Sequence, residues 1–200
     1  MSVDAEKLKI FNMALRQAQA PRIARLDETS ASALACADLY GNMFYQTLIE
    51  FEWNWGRKRA ALTAHATDPI GDGWEARYAL PADFLRIHKI DTDGINEYVI
   101  EGGYLLCNND DGITMVYWPT DTALTSASII FKRLLEKRMA AALASDLSHD
   151  RILSRSLEQE AMQLVLLAYR ECTDWSREDE PLTLRPPGYA SGRLPHYGNI

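Results

Sequence analysis

The four histidines are the first residues to consider for catalysis or metal binding, because a neutral imidazole serves both as a general base and as a metal ligand. They are His65, His88, His149 and His196. None forms an H-x-x-x-H or H-E-x-x-H pair, which is the spacing that places two imidazoles on one helix face around zinc. His149 could act as a base oriented by Asp150, although an aspartate there is also an ordinary helix cap. The spacing predicts no catalytic residue and no metal site.

Two polar or glycine-rich segments are the next candidates for ligand binding. The segment 108–112 reads Asn-Asn-Asp-Asp-Gly and offers the oxygen ligands that calcium prefers, but it lacks the alternate spacing and the distal glutamate of a calcium loop. Gly71-Asp72-Gly73 and Gly102-Gly103 lack the lysine and the following helix of a phosphate-binding loop. Turns are predicted at all three places, and no cofactor is expected. An enzyme that uses His88 or His149 stays open as an alternative function.

Aromatic side chains are unusually concentrated near the middle of the chain. We predict that Trp53 and Trp55 belong to a core between helices and sheet, and that a minority of the aromatic residues form an interface, where such side chains are enriched. A helical module that docks one partner protein through an aromatic patch is therefore a further alternative. The residues concerned are Phe51, Trp53, Trp55, Trp74, Tyr78, Tyr117 and Trp118.

Length and charge restrict the class of protein. A chain of 200 residues fits one domain, or one domain with a small excursion. The formal net charge is −7, from 21 basic and 28 acidic residues, which disfavours strong binding to phosphates. Cys36, Cys107 and Cys172 form no C-x-x-C pair, so neither a zinc site nor a disulfide framework is expected. The polar start predicts no signal peptide, and no apolar run reaches the roughly 20 residues of a membrane anchor.

Periodic apolar residues predict two helices before the middle segment. The first covers 3–18, and Pro21 closes it. Residues 26–30 are rich in N-cap types and open a longer helix, which is expected to end near 53–56 with Gly56 as its C-terminal cap. The predicted buried faces are Leu8, Ile10, Phe11, Ala14, Leu15 and Ala18 in the first helix, and Ala33, Ala37, Tyr40, Phe44, Leu48 and Phe51 in the second.

The pattern then changes to short strands and returns to helices. Gly102-Gly103 suits a primed hairpin turn, and the closely joined strands around it predict an antiparallel β-meander. Helical spacing resumes over 128–147, and Asp150 is expected to cap a last helix. The predicted strands are 84–90, 97–101, 104–108 and 113–118. The predicted helix faces are Phe131, Leu135, Met139, Ala142 and Leu143, then Leu153, Leu157, Ala161, Leu164 and Ala168.

These elements predict an α+β fold that is mainly α: a four-helix bundle with an inserted small antiparallel β-meander and an extended C-terminal tail. The bundle takes residues 1–62 and 122–175, and the meander domain takes 63–121. Prolines break any long helix over 176–200, which is therefore predicted to be the extended tail. These prolines are Pro181, Pro186, Pro187 and Pro195.

Several segments then resemble one family of viral proteins. Residues 20–30 resemble the loop between the first two helices of phage head-to-tail adaptor proteins, and residues 101–105 and 138–144 also fit. Residues 53–62 resemble the family stretch W-N-[FW]-A-x-x-R-A-x-L, and residues 74–86 resemble W-x-Y-x-Y-x-L-P-x-D-x-L-R. The matches span about 8–172. The family includes the tail tubular protein A type of short-tailed phages.

Two departures from the family pattern and the unmatched tail qualify the resemblance. Gly56 replaces the usual alanine of the first stretch, and Ala76 stands where the second has an aromatic residue. The tail follows no family pattern, so its contacts are not defined by the resemblance.

The resemblance implies a structural protein of the virion, located at the head–tail junction and assembled in the host cytoplasm. Twelve copies, monomeric before assembly, would form a ring between the portal protein and a tail nozzle or tail tube protein, with no membrane anchor. Genomic DNA would pass through the lumen without specific binding, and the acidic composition agrees with such a channel. The tail would contact the portal and the meander the distal tail component. The residues assigned are Arg185, Tyr189, Arg193 and Tyr197 for the portal, and Tyr98, Tyr104 and Asn109 for the distal tail.

Overall fold

A computed structural model describes residues 3–65, 73–92, 97–120 and 122–178, with the backbone alone over 173–178. The described residues form helices α1 (Val3–Gln17), α2 (Ala31–Glu50), α3 (Ile129–Asp146) and α4 (Arg151–Glu178). They also form strands β1 (Lys58–Leu62), β2 (Ala76–Ala79), β3 (Phe84–Ile90), β4 (Tyr98–Glu101), β5 (Tyr104–Cys107) and β6 (Ile113–Pro119). Short 3-10 helices cover Asn54–Gly56 and Leu124–Ser126. The mixed helix-and-sheet class predicted from the sequence is confirmed.

Three helices begin at residues whose side chains accept hydrogen bonds from exposed backbone N–H groups. The Ser30 hydroxyl accepts from the Ala33 amide at 3.3 Å, and the Ser128 hydroxyl accepts from the Phe131 amide at 3.2 Å. The Asp150 carboxylate accepts from the amides of Ile152 and Leu153 at 3.0 and 2.9 Å. Each bond satisfies a donor that the helix itself leaves without a partner. The cap predicted at Asp150 is confirmed.

The second helix ends earlier than the sequence predicts. Helix α2 stops at Glu50, and Phe51 is already extended, with φ −129° and ψ 162°. Gly56 lies in the following 3-10 helix and is buried, so it does not cap α2. The chain leaves the helix because Trp53 turns under it, where the indole Nε1 donates to the Thr47 carbonyl at 2.9 Å. The predicted C-terminal cap at Gly56 was wrong.

Helix α3 lies at the centre of the helical part, where it packs against α1, α2 and α4. It buries residues around most of its circumference, including Leu134, Leu135, Met139 and Ala140. The predicted faces of α1 and α4 are mostly confirmed, since Phe11, Leu15, Leu157, Ala161 and Ala168 are buried. Ala37 of α2 is exposed instead, and Cys36 takes the buried place.

The strands form two three-stranded antiparallel sheets, in the orders β1-β6-β3 and β2-β5-β4. The predicted hairpin of β4 and β5 is confirmed, and Gly102 and Gly103 both have positive φ, at 57° and 83°. That backbone is the primed turn that favours glycine at both central positions. The predicted meander was wrong in its last step, because β6 pairs with β1 and β3 rather than with β5.

The two sheets share one small core. Its buried members come from β2, β5 and β6, and the members within each strand are two residues apart, because alternate side chains of a strand point to the same face. Strand β1 belongs to the first sheet, although the sequence placed residues 58–62 with the helices. The buried members are Tyr78, Leu105, Cys107, Ile113, Met115 and Tyr117.

Trp53, Trp118 and Arg86 join the sheets to the helices. The buried indole of Trp118 on β6 donates to the Trp53 carbonyl at 2.7 Å. The Arg86 guanidinium of β3 lies 4.3 Å from the centre of the Trp118 ring and donates to the carbonyls of Ile49 and Phe51. A cation at the end of α2 also offsets the negative end of the helix dipole. The first sheet is therefore bonded directly to the C-terminal end of α2.

Across the described ranges, no helix combines the length and the apolar character that crossing a bilayer requires. Helix α4 continues to Glu178, so residues 176–178 of the predicted tail are helical. The rest of that tail, 179–200, lies outside the described residues.

Candidate functional site

The three histidines within the described residues do not come together in one site. His88, on β3, lies with its Nε2 2.8 Å from an Arg57 guanidinium nitrogen and its Nδ1 3.9 Å from the Glu52 carboxylate. Its ring also stands edge-on to Trp118, with ring centres 5.2 Å apart. These contacts fix His88 between the end of α2 and the first sheet. The arrangement is that of a structural histidine.

The other histidines occupy unrelated positions. His65 follows β1 and contacts the Tyr104 ring edge-on, with ring centres 6.1 Å apart. His149 is exposed in the turn between α3 and α4, where its φ is 52°. His196 lies outside the described residues. Among the described residues, no group of three or more His, Cys, Asp or Glu side chains could hold a metal ion.

The polar segment before β6 forms a turn that is closed by its own side chains and by Tyr78. The Asn109 side-chain oxygen accepts from the Asp111 amide at 2.9 Å. The Tyr78 hydroxyl donates to the Asn109 carbonyl at 2.6 Å and lies 3.3 Å from the Gly112 amide, which donates to it. Gly112 has φ 94°, a conformation that glycine adopts without strain. The oxygens of Asn109 are therefore already used within the turn.

The distal-tail residues predicted from the resemblance divide between the two ends of the β4–β5 hairpin. Tyr98 pairs with Cys107, close to Asn109, whereas Tyr104 starts β5 beside the two-glycine turn. The Tyr104 ring is half-buried under the Arg77 guanidinium, 5.1 Å from the ring centre, so it is partly used within the fold.

Strand β4 adds two exposed apolar residues that sequence reasoning missed. It is an edge strand, and Tyr98, Val99 and Ile100 are 38%, 41% and 38% exposed. An exposed apolar edge is a template for pairing with another chain. Val99 and Ile100 are therefore candidate contacts beside Tyr98. The edge position of β4 could not be predicted from the residues of β4 alone, because it depends on which other strands pair with β5.

Helix α4 carries a second apolar line besides its buried face. Met162, Leu166 and Tyr169 are 74%, 65% and 57% exposed, and they form the α4 stripe. Their spacing of four and three residues places them on one side of the helix. Met162 also borders a groove between α2 and α4. Ala141 and Ala142 of α3 line the bottom of this groove. This spacing was readable in the sequence, but the stronger buried face concealed it.

Helix α2 carries an exposed apolar line as well. Leu34, Tyr45 and Ile49 are all exposed, and they form the α2 stripe. Separations of eleven and four residues are close to whole numbers of helical turns, so the three share a face. Exposed apolar side chains that share one helix face are candidates for contact with another molecule. The helical part therefore offers two separate apolar lines, one on α2 and one on α4.

The four predicted portal-binding residues cannot be placed by the structure. Arg185, Tyr189, Arg193 and Tyr197 all lie outside the described residues. Comparison with known proteins adds no relative: no profile of a known protein family matches this chain, and no curated protein is significantly similar to it. The resemblance to head-to-tail adaptors therefore stays a prediction.

Proposed function

We propose that this chain is a structural head-to-tail adaptor of a tailed bacteriophage. Copies of it form a ring between the portal and the tail, through which the genome is retained and then ejected. The observation that carries the proposal is the pair of exposed apolar lines, the α2 stripe and the α4 stripe. Exposed Leu, Ile, Met and Tyr side chains at helical spacing favour an interaction protein over an isolated soluble domain.

Two different apolar lines suit a ring better than they suit a two-fold symmetric dimer, in which each copy uses the same surface. In a closed ring each copy meets its neighbour head to tail, so one surface contacts a different surface of the next copy. The α2 stripe and the α4 stripe provide two such surfaces on separate helices. We assign them to the contacts with the two neighbouring copies, and twelve copies complete the ring as the sequence resemblance implies.

The remaining assignments follow the same proposal. The helices form the wall of the ring, and the two sheets, which include β1, face the distal tail component through the exposed edge of β4. The tail, 176–200, binds the portal. The net charge of −7 supports a lumen that does not retain DNA, because phosphates are held by clusters of basic residues.

A charge placed in the α4 stripe tests the proposal. Leu166→Glu should leave the fold intact, because the side chain is 65% exposed, yet should prevent association with the portal protein encoded by the same genome. Leu167→Glu is the matched control, since it makes the same change at an exposed leucine of the same helix that lies about 100° around the axis from Leu166 and outside the stripe. Mass measurement and electron microscopy of each chain mixed with portal give the readout.

The expected result is a ring on the portal for the unaltered chain and the Leu167 variant, and free monomer for the Leu166 variant. A chain that stays monomeric with and without portal contradicts the adaptor. A ring that forms equally well with Leu166→Glu keeps the adaptor but removes the α4 stripe as its interface. Binding of one copy to a single partner, without a ring, would favour the helical binding module instead.

A further inference from the structure

A cavity of about 370 Å³ lies where the start of α3, the end of α4 and the 3-10 helix after α2 meet. Its volume falls within the range of small-ligand sites in proteins. The lining is mostly aromatic and apolar, with three polar side chains. The lining residues are Trp53, Asn54, Trp55, Ser128, Glu171 and Cys172.

The polar atoms of this cavity are mainly hydrogen-bond acceptors. The side-chain oxygen of Asn54 is buried and has no hydrogen-bond partner among the described residues. The Ser128 hydroxyl lies 3.2 Å from Oε2 of Glu171 and donates to it, which holds the carboxylate in place. The indole Nε1 of Trp55 is the contrasting atom, a buried donor that likewise has no partner in the described chain. A fitting ligand must supply several donors and one acceptor.

The carboxylate of Glu171 also lacks an opposite charge. No lysine or arginine of the described residues forms an ion pair with it. Burial raises the pKa of this carboxyl, and the Ser128 hydroxyl offsets part of that effect. A bound cation would relieve the cost of burying the charge. The half-buried indole ring of Trp55 supplies aromatic surface, which attracts cations as well.

We propose that this cavity binds the guanidinium group of an arginine residue in a peptide. A guanidinium is planar, offers five N–H donors to diverging acceptors and stacks on indole rings, whereas an ammonium is a compact point charge. The guanidinium donates to Glu171 and Asn54, and a carbonyl of the same peptide accepts from Trp55. This site goes beyond the adaptor function and does not depend on it.

Two sources could provide the arginine. One is this chain or a neighbouring copy, since residues 179–200 follow α4 directly and include Arg185 and Arg193. The other is a separate partner protein. Glu171 precedes the end of α4 by only seven residues, or roughly 10 Å of helix, so the segment is long enough to return to the cavity.

Calorimetric titration of the full chain tests the site with a matched pair of probes. The first is N-acetyl-arginine amide, and the second is N-acetyl-citrulline amide, which has nearly the same shape but no charge. We expect citrulline to bind at least tenfold more weakly, because charge-assisted hydrogen bonds are about twice as strong as neutral ones. Glu171→Gln should weaken the arginine probe at least fivefold, while Glu158→Gln, an exposed glutamate earlier on α4, should leave its affinity unchanged.

The full-length double variant Arg185→Gln/Arg193→Gln distinguishes the sources. Tighter binding of the arginine probe to this variant means that the chain's own segment occupies the cavity, and unchanged binding means that the arginine comes from a partner. Two results would overturn the proposal. One is the absence of any preference for arginine over citrulline in both the unaltered chain and the double variant. The other is a Glu171→Gln chain that melts normally and binds the arginine probe as well as the unaltered chain.

Discussion

Gly56 is held in a space that leaves little room for a side chain. A Cβ at this position would lie 3.3 Å from Cγ2 of Thr122 and 3.5 Å from Cδ1 of Trp118. We expect Gly56→Ala to lower the free energy of unfolding by about 1–2 kcal/mol, because overpacking displaces well-packed neighbours. Chemical denaturation measures the change.

A second substitution tests whether the contact with Thr122 is the cause. Thr122→Ser removes Cγ2 but keeps the hydroxyl that donates to the Pro119 carbonyl at 3.0 Å. In the Thr122→Ser background, Gly56→Ala should cost less than half as much as in the unaltered chain. An equal cost in both backgrounds would show that the strain arises elsewhere, for example at Trp118.

Trp53 and Trp55 were both predicted to be core residues, and the structure distinguishes them. Trp53 is fully buried, and its indole N–H donates to the Thr47 carbonyl at 2.9 Å. Trp55 is only half-buried, although its ring packs on Phe131 with centres 4.9 Å apart. Both residues belong to the aromatic concentration that the sequence shows. Which of the two indoles turns inward depends on where α2 ends. The sequence placed that end near residues 53–56, whereas the helix stops at Glu50.

The difference between the two tryptophans gives a stability prediction. Trp53→Phe should cost about 2–4 kcal/mol, because it leaves a cavity and a buried carbonyl without its donor. Trp55→Phe should cost less than about 1 kcal/mol, because its N–H has no protein partner in the described residues. Thermal and urea melts of the two variants compare them directly. Equal losses would place both indoles in the same kind of environment and contradict the structure.

Among the secondary-structure elements, those defined by a short stretch of sequence were predicted correctly. The two-glycine turn fixed the β4–β5 hairpin, since both glycines need positive φ. The partner of β6 was not predictable in this way, because strand pairing between distant segments is decided by the shared core and not by a turn. Strand β1, Lys-Arg-Ala-Ala-Leu, was concealed by its composition, which is rich in helix-forming residues.

Asp83 holds together all three strands of the first sheet. Its carboxylate accepts from Lys58 of β1 at 2.8 Å and from the Tyr117 hydroxyl of β6 at 2.9 Å, and β3 begins at the next residue. The hydrogen bond from Lys58, followed by that from Tyr117, lowers the pKa of this carboxyl below its ordinary value. A lowered pKa in the folded state means that the folded chain favours the ionised form.

The contribution of Asp83 to the free energy of unfolding should therefore depend on pH. It is fully present above the pKa of an unfolded aspartate and is lost as the pH falls through the lower pKa of the folded state. Asp83→Asn should be less stable than the unaltered chain at neutral pH, and the difference should shrink in acid. Melting temperatures of the two chains, measured from neutral pH down to about pH 2, test this. A difference that stays constant over that range would contradict the role of the charge.

For the whole molecule, the two cores predict that the C-terminal segment is dispensable for folding. Among the described residues, the helical core and the sheet core are both complete before the end of α4 at Glu178. Removal of 179–200 should shift the melting temperature by no more than a few degrees. The same truncation should abolish binding to the portal protein in a pull-down, since the tail is proposed to bind the portal. A truncated chain that still binds portal would move that contact to the folded part.

The proposed interface on α4 could not be predicted from periodicity. Helix faces reveal which residues a subunit buries, and Leu157, Ala161 and Ala168 were predicted in this way. The exposed line of Met162, Leu166 and Tyr169 follows the same spacing rule, so the pattern alone does not separate an interface from a core. The distinction required knowledge of which side of α4 faces α3.

The bonds between Trp118, Arg86 and the end of α2 have a mechanical consequence. They run in parallel with the chain segment that connects α2 to β1. A pull on the first sheet would therefore load α2 through these bonds before that connecting segment straightened. Under tension the junction should therefore open only when the Trp118–Trp53 bond and the two Arg86 bonds break together.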